Sequence, residues 1–365
     1  MAQPIPAETG ETKAKESAKL DPAKLILEHV ADAHEFHFLT INKKPVSIPL
    51  PVILYSPVKG WSVFMSSRFG HGHEVYEGYR LLNEEYVEEN HLDEKKFKAG
   101  KIFAVDAEGH PDPSVTVYDL SLGRNAMQMV ISAILLILIM KSIAGKYAKG
   151  QGVKTAPAGF QNAVEPVITF VRDEVAKANL GDRYEKYMPF LLTVFFFILI
   201  NNLIGLVPGT ANVTGNIAFT AALGILSFIV IMFSTGKHYW AHIVNPPVPL
   251  GVKFIMWPVE IMGIFTKPFA LIIRLFANMI SGHIIILSFI ILIFIFGAMN
   301  TGLGWGTSPL FVALSLFIYL IEILVAFLQA YIFANLTAVF IAQAFEGGHD
   351  EHGDEHGHHA ETVVA

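Results

Sequence analysis

Cysteine is absent from the 365 residues, which removes disulfide frameworks, thiolate zinc sites, iron–sulfur clusters and cysteine nucleophiles together. Charge is scarce as well. Asp, Glu, Lys and Arg make up 16% of the chain, against about 25% in an ordinary soluble protein. The formal net charge of −6 argues against nucleic acid as a partner. Apolar residues fill the space, at 53% with 28 Phe, and the mean hydropathy is +0.47. Most of such a chain is embedded in a membrane, and a single soluble enzyme fold is excluded.

The charges that remain are unevenly spread. Residues 1–120 hold 13 Lys/Arg and 19 Asp/Glu, residues 121–345 hold 13 and 7, and residues 346–365 hold six acids, five His and no Lys or Arg. This divides the chain into a polar N-terminal domain, a membrane core and a solvated tail. The first twenty residues have a disordered composition. After them come strand-like pieces at 35–41 and 46–55, and a helical pattern over 79–98 with Leu81, Tyr86 and Leu92 among charges. Together these predict a small α+β domain. No hydrophobic targeting segment precedes it, so its translocation would rest on a removed signal or on the first span.

A helix needs roughly 20 apolar residues to cross about 30 Å of hydrocarbon. Segment 125–140 is a short first span between Arg124 and Lys141, whose side chains would snorkel to the interfaces. Segments 188–207 and 217–233 are the second and third. The last two, 268–298 and 309–345, each exceed 30 residues and imply strong tilt or contact with another protein. Residues 246–266, Pro-rich but apolar, read as an interfacial or re-entrant lead into the fourth span. The fold class predicted is therefore an all-α membrane protein of about five transmembrane helices, the last two long and tilted. It also carries an amphipathic surface helix and a small α+β N-terminal domain outside the membrane.

Lys141, Lys146, Lys149 and Lys154 follow the first span, and Lys237, Lys253 and Lys267 follow the third, whereas 208–216 and 300–308 carry no charge. By the positive-inside rule the Lys-bearing side is cytoplasmic. Five crossings then put residues 1–120 outside and the tail inside; a sixth through 246–266 would reverse the tail. Segment 161–180 sets Val164, Val167, Ile168 and Val171 apart from Arg172, Asp173 and Lys177, as in a helix lying on the cytoplasmic surface.

An ionisable group within a bilayer is costly and marks a functional site by default. The last two spans hold three of them: Arg274, His283 and Glu322. Asn278, Gln329 and Asn335 are polar companions. At about 100° per residue, Arg274 and Asn278 share a face, and His283 points the opposite way. Glu322 and Gln329 share a face of the last span. His283 and Glu322 both lie toward the outer ends of their helices, so an imidazole and a carboxylate at similar depth could exchange protons. Arg274 stays protonated. It can repel a cationic carrier or attract a carboxylate, and a second protein with a buried carboxylate is the natural partner. Other readings stay open: Arg274 paired with Glu322, His283 as an interhelical hydrogen-bonder, and Gln329 and Asn335 as helix–helix glue.

These residues sit in recognisable surroundings. Trp257-Pro-Val-Glu260-Ile-Met-Gly-Ile-Phe-Thr-Lys267 runs on to Arg274-Leu-Phe-Ala-Asn278-Met-Ile-Ser-Gly282-His283, and Glu322-Ile-Leu-Val-Ala-Phe-Leu-Gln329 follows on the last span. With Asn201-Asn202-Leu-Ile-Gly205 and Thr214-Gly215-Asn216, this resembles subunit a of F-type ATP synthases over roughly 121–345. Residues 1–120 carry no recognisable signature.

The resemblance implies a stator channel beside a rotating ring of c subunits, joined to b-type peripheral stalk subunits and, indirectly, to the catalytic head. No cofactor and no metal are implied. Arg274 matches the arginine that separates two offset half-channels and draws the ring carboxylate into its ionised form. Asn278, His283, Glu322 and Gln329 match positions lining the outer access path, Glu260 a position near the cytoplasmic exit path, and Lys267 an interfacial anchor. Many bacterial members carry a carboxylate where this chain has His283 and His where it has Glu322; the exchange keeps one acid and one imidazole. The acid that some members carry in 201–205 is missing.

Gly145-Lys-Tyr-Ala-Lys-Gly150-Gln-Gly-Val-Lys154-Thr155 resembles a phosphate loop only superficially, since Lys-Thr comes four residues late and no strand leads in. His349, His352, His356, His358 and His359 form a solvated tail with weak metal-binding potential. His34, Glu35 and His37 make no metalloprotease signature. No internal repeat of a secondary transporter and no nucleophile–base pair of an intramembrane hydrolase is visible.

Overall fold

The computed structural model describes residues 34–41, 44–93, 96–106, 108–152, 159–207, 210–234 and 250–346. The first twenty residues, Lys154, Lys237, residues 246–249 and the His-rich tail from 347 onward lie outside the described residues.

The N-terminal part is built from short antiparallel strands. Strands β1 (Glu35–Ile41) and β2 (Lys44–Pro49) form a hairpin. Strands β3 (Pro51–Ser56), β4 (Gly60–Met65), β5 (Val75–Tyr76), β6 (Tyr79–Leu81), β7 (Ile102–Ala104) and β8 (Tyr118–Asp119) make two three-stranded sheets, ordered β4-β3-β8 and β5-β6-β7. Val52 and Leu54 point inward at period two and meet Phe69, Tyr79, Ile102 and Ala104 in a small core. The expected helix over 79–98 shrinks to α1 (Glu84–Glu89). Tyr79–Leu81 is drawn into the sheet by its pairing with Ile102–Ala104. Asn83 then caps α1 by accepting from the Tyr86 N–H at 2.8 Å, and His91, at φ +49°, turns the chain away after Asn90.

His34 and Glu35 serve the fold. The His34 Nε2 lies 2.8 Å from Asp119 Oδ2, and His71 Nδ1 lies 2.9 Å from Glu35 Oε2. Burial alone would raise the Asp119 pKa. Hydrogen bonds from the His34 ring, the Ser121 side chain and the Ser121 backbone N–H outweigh it, and the carboxyl is held below its ordinary value. A depressed folded pKa stabilises above the unfolded value and loses that contribution as pH falls through the folded one. Acid unfolding of this part is therefore expected to set in below about pH 4, and Asp119→Asn should flatten that limb in a pH-resolved melting series.

Among the described residues, five helices are long and apolar enough to cross a membrane, and the chain is a multi-pass membrane protein. Helix α2 (Arg124–Ala148) is the first span, running beyond the predicted end through Lys141 and Lys146. It absorbs the start of the phosphate-loop look-alike as plain helix. Next come α3 (Phe160–Phe170), wider π turns over Val171–Lys177, the single turn α4 (Ala178–Leu180) and a 3₁₀ turn leading into α5 (Tyr184–Gly205). The wider turns keep Val171, Val175 and Ala176 fully buried. This amphipathic stretch packs against α5 and the last helix. Asn179 Nδ2 donates to Asn335 Oδ1 at 2.8 Å, so Asn335 is glue between helices.

Helix α6 (Ile217–Ser234) is the third span. Helix α7 (Leu250–Met299) spans 50 residues, about 75 Å at 1.5 Å per residue. The expected re-entrant lead is, from Leu250 on, the first turns of this same helix, which carries Pro258 and Pro268 within it. Each proline removes one backbone donor without stopping the helix, a tolerance seen where packed neighbours re-satisfy the freed groups. Pro268 lies where α6 crosses, and a Cβ on Gly224 would meet the Ile272 side chain and the Pro268 carbonyl.

Helix α8 (Thr301–Glu346) starts eight residues earlier than predicted, so the uncharged loop 300–308 contracts to Asn300. Asn300 caps the new helix, its Oδ1 accepting from Gly302 N–H at 2.7 Å. A Cβ on Gly304 would stand 2.6 Å from the Gly297 Cα. At Gly304, a residue that looks like part of a loop, two helices cross at backbone contact.

Candidate functional site

The inward stripe of α7 is Leu271, Leu275, Met279 and Gly282, at helical spacing. Arg274 and Asn278 stand beside that stripe and are exposed, while His283 lies on its other side, half-buried. The opposition of Arg274 and His283 expected from 100° per residue is thus realised across a packed seam. Among the described residues, no ion pair ties Arg274 to Glu322 or to any other acid. Its guanidinium faces out of the bundle.

Glu322 faces in, only 7% exposed, and Gln329 two turns further on is 6% exposed. Between and beyond them a row of small residues lies on the buried face of α8: Ala326, Ala330, Ala334 and Ala338 recur every fourth residue. Small residues at this spacing let helix backbones approach closely. The same closeness seats the Glu322 carboxylate directly on Gly282, where a Cβ would overlap it. The carboxylate therefore sits against α7 one residue before His283, at that histidine's depth. Gly282 is a site residue that charge and periodicity do not single out. The legible signal was a glycine next to an intramembrane His.

A buried polar girdle fixes this level of the bundle. Asn202 Nδ2 donates to the Ala326 carbonyl at 3.1 Å, one turn from Glu322, and Asn212 Nδ2 donates to the Met279 carbonyl at 3.2 Å, one turn from Gly282. Tyr319 Oη donates to the Leu206 carbonyl at 3.2 Å. On α2, Ser132 Oγ donates to Asn201 Oδ1 at 3.0 Å, and Gln128 holds both backbone groups of Ala211 at 2.7 and 2.8 Å. Asn201, Asn202, Leu206, Ala211 and Asn212 thereby tie α2, α7 and α8 together. Gln128→Ala strands the Ala211 N–H and C=O in a dry site, at about 1–3 kcal/mol for each group. Thermal denaturation in detergent should register that loss, whereas an unchanged midpoint would mean that water replaces the amide.

Lys267 Nζ donates to Gln343 Oε1 at 2.8 Å and lies 5.2 Å from the centre of the Phe340 ring, so it clasps α7 to the end of α8. Glu260 falls in the first part of α7, 14 residues and about 21 Å of helix before Arg274. No group of three or more His, Asp or Glu side chains that could hold a metal occurs among the described residues.

The arrangement thus offers a permanent cation on an open flank and a carboxylate with an imidazole neighbour behind it. A family model described as ATP synthase A chain matches residues 126–342, and one described as Domain of unknown function (DUF8433) matches residues 25–120. The second match delimits the N-terminal part without assigning it a role. The chain is 49% identical over 254 residues to ATP synthase subunit a of Chloroherpeton thalassium, covering 68% of this chain and 73% of that one. With ATP synthase subunit a of Chlorobium phaeobacteroides it shares 45% identity over 250 residues, covering 66% and 70%. A more distant relative, ATP synthase subunit a of Anaeromyxobacter dehalogenans, is 38% identical over 64% of this chain. The chain belongs to the ATP synthase A chain family and is the proton-translocating stator subunit of an F-type ATP synthase, a channel subunit with no catalytic activity of its own.

Proposed function

We propose that Arg274 is the charge gate between two offset half-channels and that Asn278, His283, Glu322 and Gln329 line the outer one, with Glu260 near the cytoplasmic exit. The observation that carries this reading is the disposition of charges on α7 and α8. Arg274 faces out of the bundle with no acid of the described chain beside it, while Glu322 is buried against Gly282 next to His283. A guanidinium in that position needs a carboxylate from outside, because an unpaired charge in hydrocarbon costs several kcal/mol.

The partner that fits is a c-ring of proteolipid subunits whose buried carboxylates pass α7 and α8. A proton enters from the outer side, is handed between His283 and Glu322, and neutralises a ring carboxylate. The carboxylate then turns through lipid and releases its proton on the far side of Arg274. The positive guanidinium bars the direct route and favours the ionised ring acid. Peripheral stalk subunits of b type would hold the stator still, and the catalytic head would be reached through them.

The Lys-bearing loops support a bacterial plasma-membrane orientation with residues 1–120 extracytoplasmic, 121–345 in the membrane and 346–365 cytoplasmic. The proton pair is tested by exchange. His283→Glu with Glu322→His is expected to retain more ATP-driven pumping than either single substitution. Equal impairment of all three would contradict a shared proton.

A further inference from the structure

The sheet β4-β3-β8 has two faces, and only the inner one is accounted for by the domain's own core. On the outer face, Trp61, Val63 and Met65 alternate along β4 and are all exposed, Trp61 at 66% and Val63 at 67%. Tyr55 stands opposite Trp61 on β3, and Tyr118 stands opposite Tyr55 on β8. The three rings form a row across the sheet, with centroids 5.0 and 6.2 Å apart. Leu120 and Leu122 continue the apolar run past the end of β8 and are exposed too.

What covers this face follows from where β8 leads. Gly123 is the N-cap of α2, so the sheet and the first membrane span are separated by only a few residues. That connection is hydrogen-bonded throughout. Leu120 N–H donates to the Ile53 carbonyl at 2.9 Å, Ile53 N–H donates to Ser121 Oγ at 3.0 Å, and Gly123 N–H donates to the Ser121 carbonyl at 3.0 Å. A second tether lies at the start of β3, where Phe36 and Leu50 are buried with Ala211 and Val213 at the end of the helical bundle. Held at two points, the sheet cannot swing away from the span. Leu122 leads straight into α2, whose own surface exposes Met129, Val130 and Ile134.

We infer that the outer face of β4-β3-β8 lies on the bilayer, with Trp61, Tyr55 and Tyr118 at headgroup depth and Met65, Leu120 and Leu122 deeper. Amphipathic rings are favoured at that depth. The acidic balance of residues 1–120 rules out a polybasic attachment, so the contact is apolar and insensitive to salt. It requires only that α2 spans the membrane and stands apart from the proton-path assignments.

The cysteine-free chain allows a direct test. Trp61→Cys, Val63→Cys and Met65→Cys would each be spin-labelled in the full-length protein in phosphatidylcholine vesicles, with Glu89→Cys as the exposed reference. Relaxation by oxygen should exceed relaxation by a water-soluble nickel chelate at 61, 63 and 65, increasingly toward 65, with the reverse at 89. The same order should persist in high salt. Nickel access at all three sites would overturn the inference, and so would labels shielded from both reagents, which would mean a protein cover or a second copy. Unlabelled protein gives an independent reading: the emission difference between the unsubstituted protein and Trp61→Phe should be weaker in brominated than in unbrominated lipid, and an equal difference in both lipids would contradict lipid contact.

Discussion

Arg274→Ala is expected to abolish proton-driven ATP synthesis in the assembled enzyme while leaving assembly intact. The side chain is exposed on the isolated chain and makes no ion pair among the described residues, so its removal deletes no packing on which the bundle depends. The buried neighbours Leu275 and Met279 keep α7 in place. The electrostatic consequence is large. Each proton crossing 100 mV releases about 2.3 kcal/mol, and a direct path between the half-channels would dissipate it as heat. Lysine at 274 should restore charge without the planar fork and recover little. Normal synthesis by the Ala variant, with subunit composition checked on the purified complex, would remove the gate from the account.

Gly282→Ala should be almost as damaging, although ordinary helix energetics point the other way. Replacing a mid-helix glycine by alanine usually gains about 1 kcal/mol. Here the new methyl would occupy the space of the Glu322 carboxylate. Overpacking of this kind costs typically about 1–3 kcal/mol, and either the carboxylate leaves its seat or the two helices part. Proton pumping is expected to fall by about tenfold or more, which corresponds to roughly 1.4 kcal/mol or more. Glu322→Asp withdraws the carboxylate by one methylene, so the double variant Gly282→Ala with Glu322→Asp should pump better than Gly282→Ala alone. No gain in the double variant would separate Gly282 from Glu322.

How much of this was legible in the sequence follows from the physics of each part. The membrane spans were, because hydrocarbon demands about 20 apolar residues whose backbone groups are satisfied within the helix. The opposition of Arg274 and His283 was legible too, since it depends only on helical angle. Helix boundaries were less so. Gly302, Gly304 and Gly306 look like a loop, and the close approach of Gly304 to Gly297 becomes visible only in the fold. The lead at 246–266 looks broken because its prolines are visible in the sequence, whereas from Leu250 on the helix runs through Pro258 without a break.

Long-range contacts were the least legible. The seating of Glu322 on Gly282 joins residues forty apart, and the clasp of Gln128 on Ala211 joins residues 83 apart. The helical pattern over 79–98 misled because Tyr79–Leu81 pairs with a strand more than twenty residues later. The aromatic row across β4-β3-β8 exists only once the register Trp61–Tyr55–Tyr118 is known.

The most direct measurement is the surroundings of Arg274 in an experimental map of the whole membrane sector, with the ring in place. A ring carboxylate should approach the guanidinium to within about 4–6 Å, the range over which an opposite charge stabilises an ionised acid, with Glu322 remaining against Gly282. A guanidinium turned to lipid, or one that had left the ring side to pair with Glu322, would contradict the account.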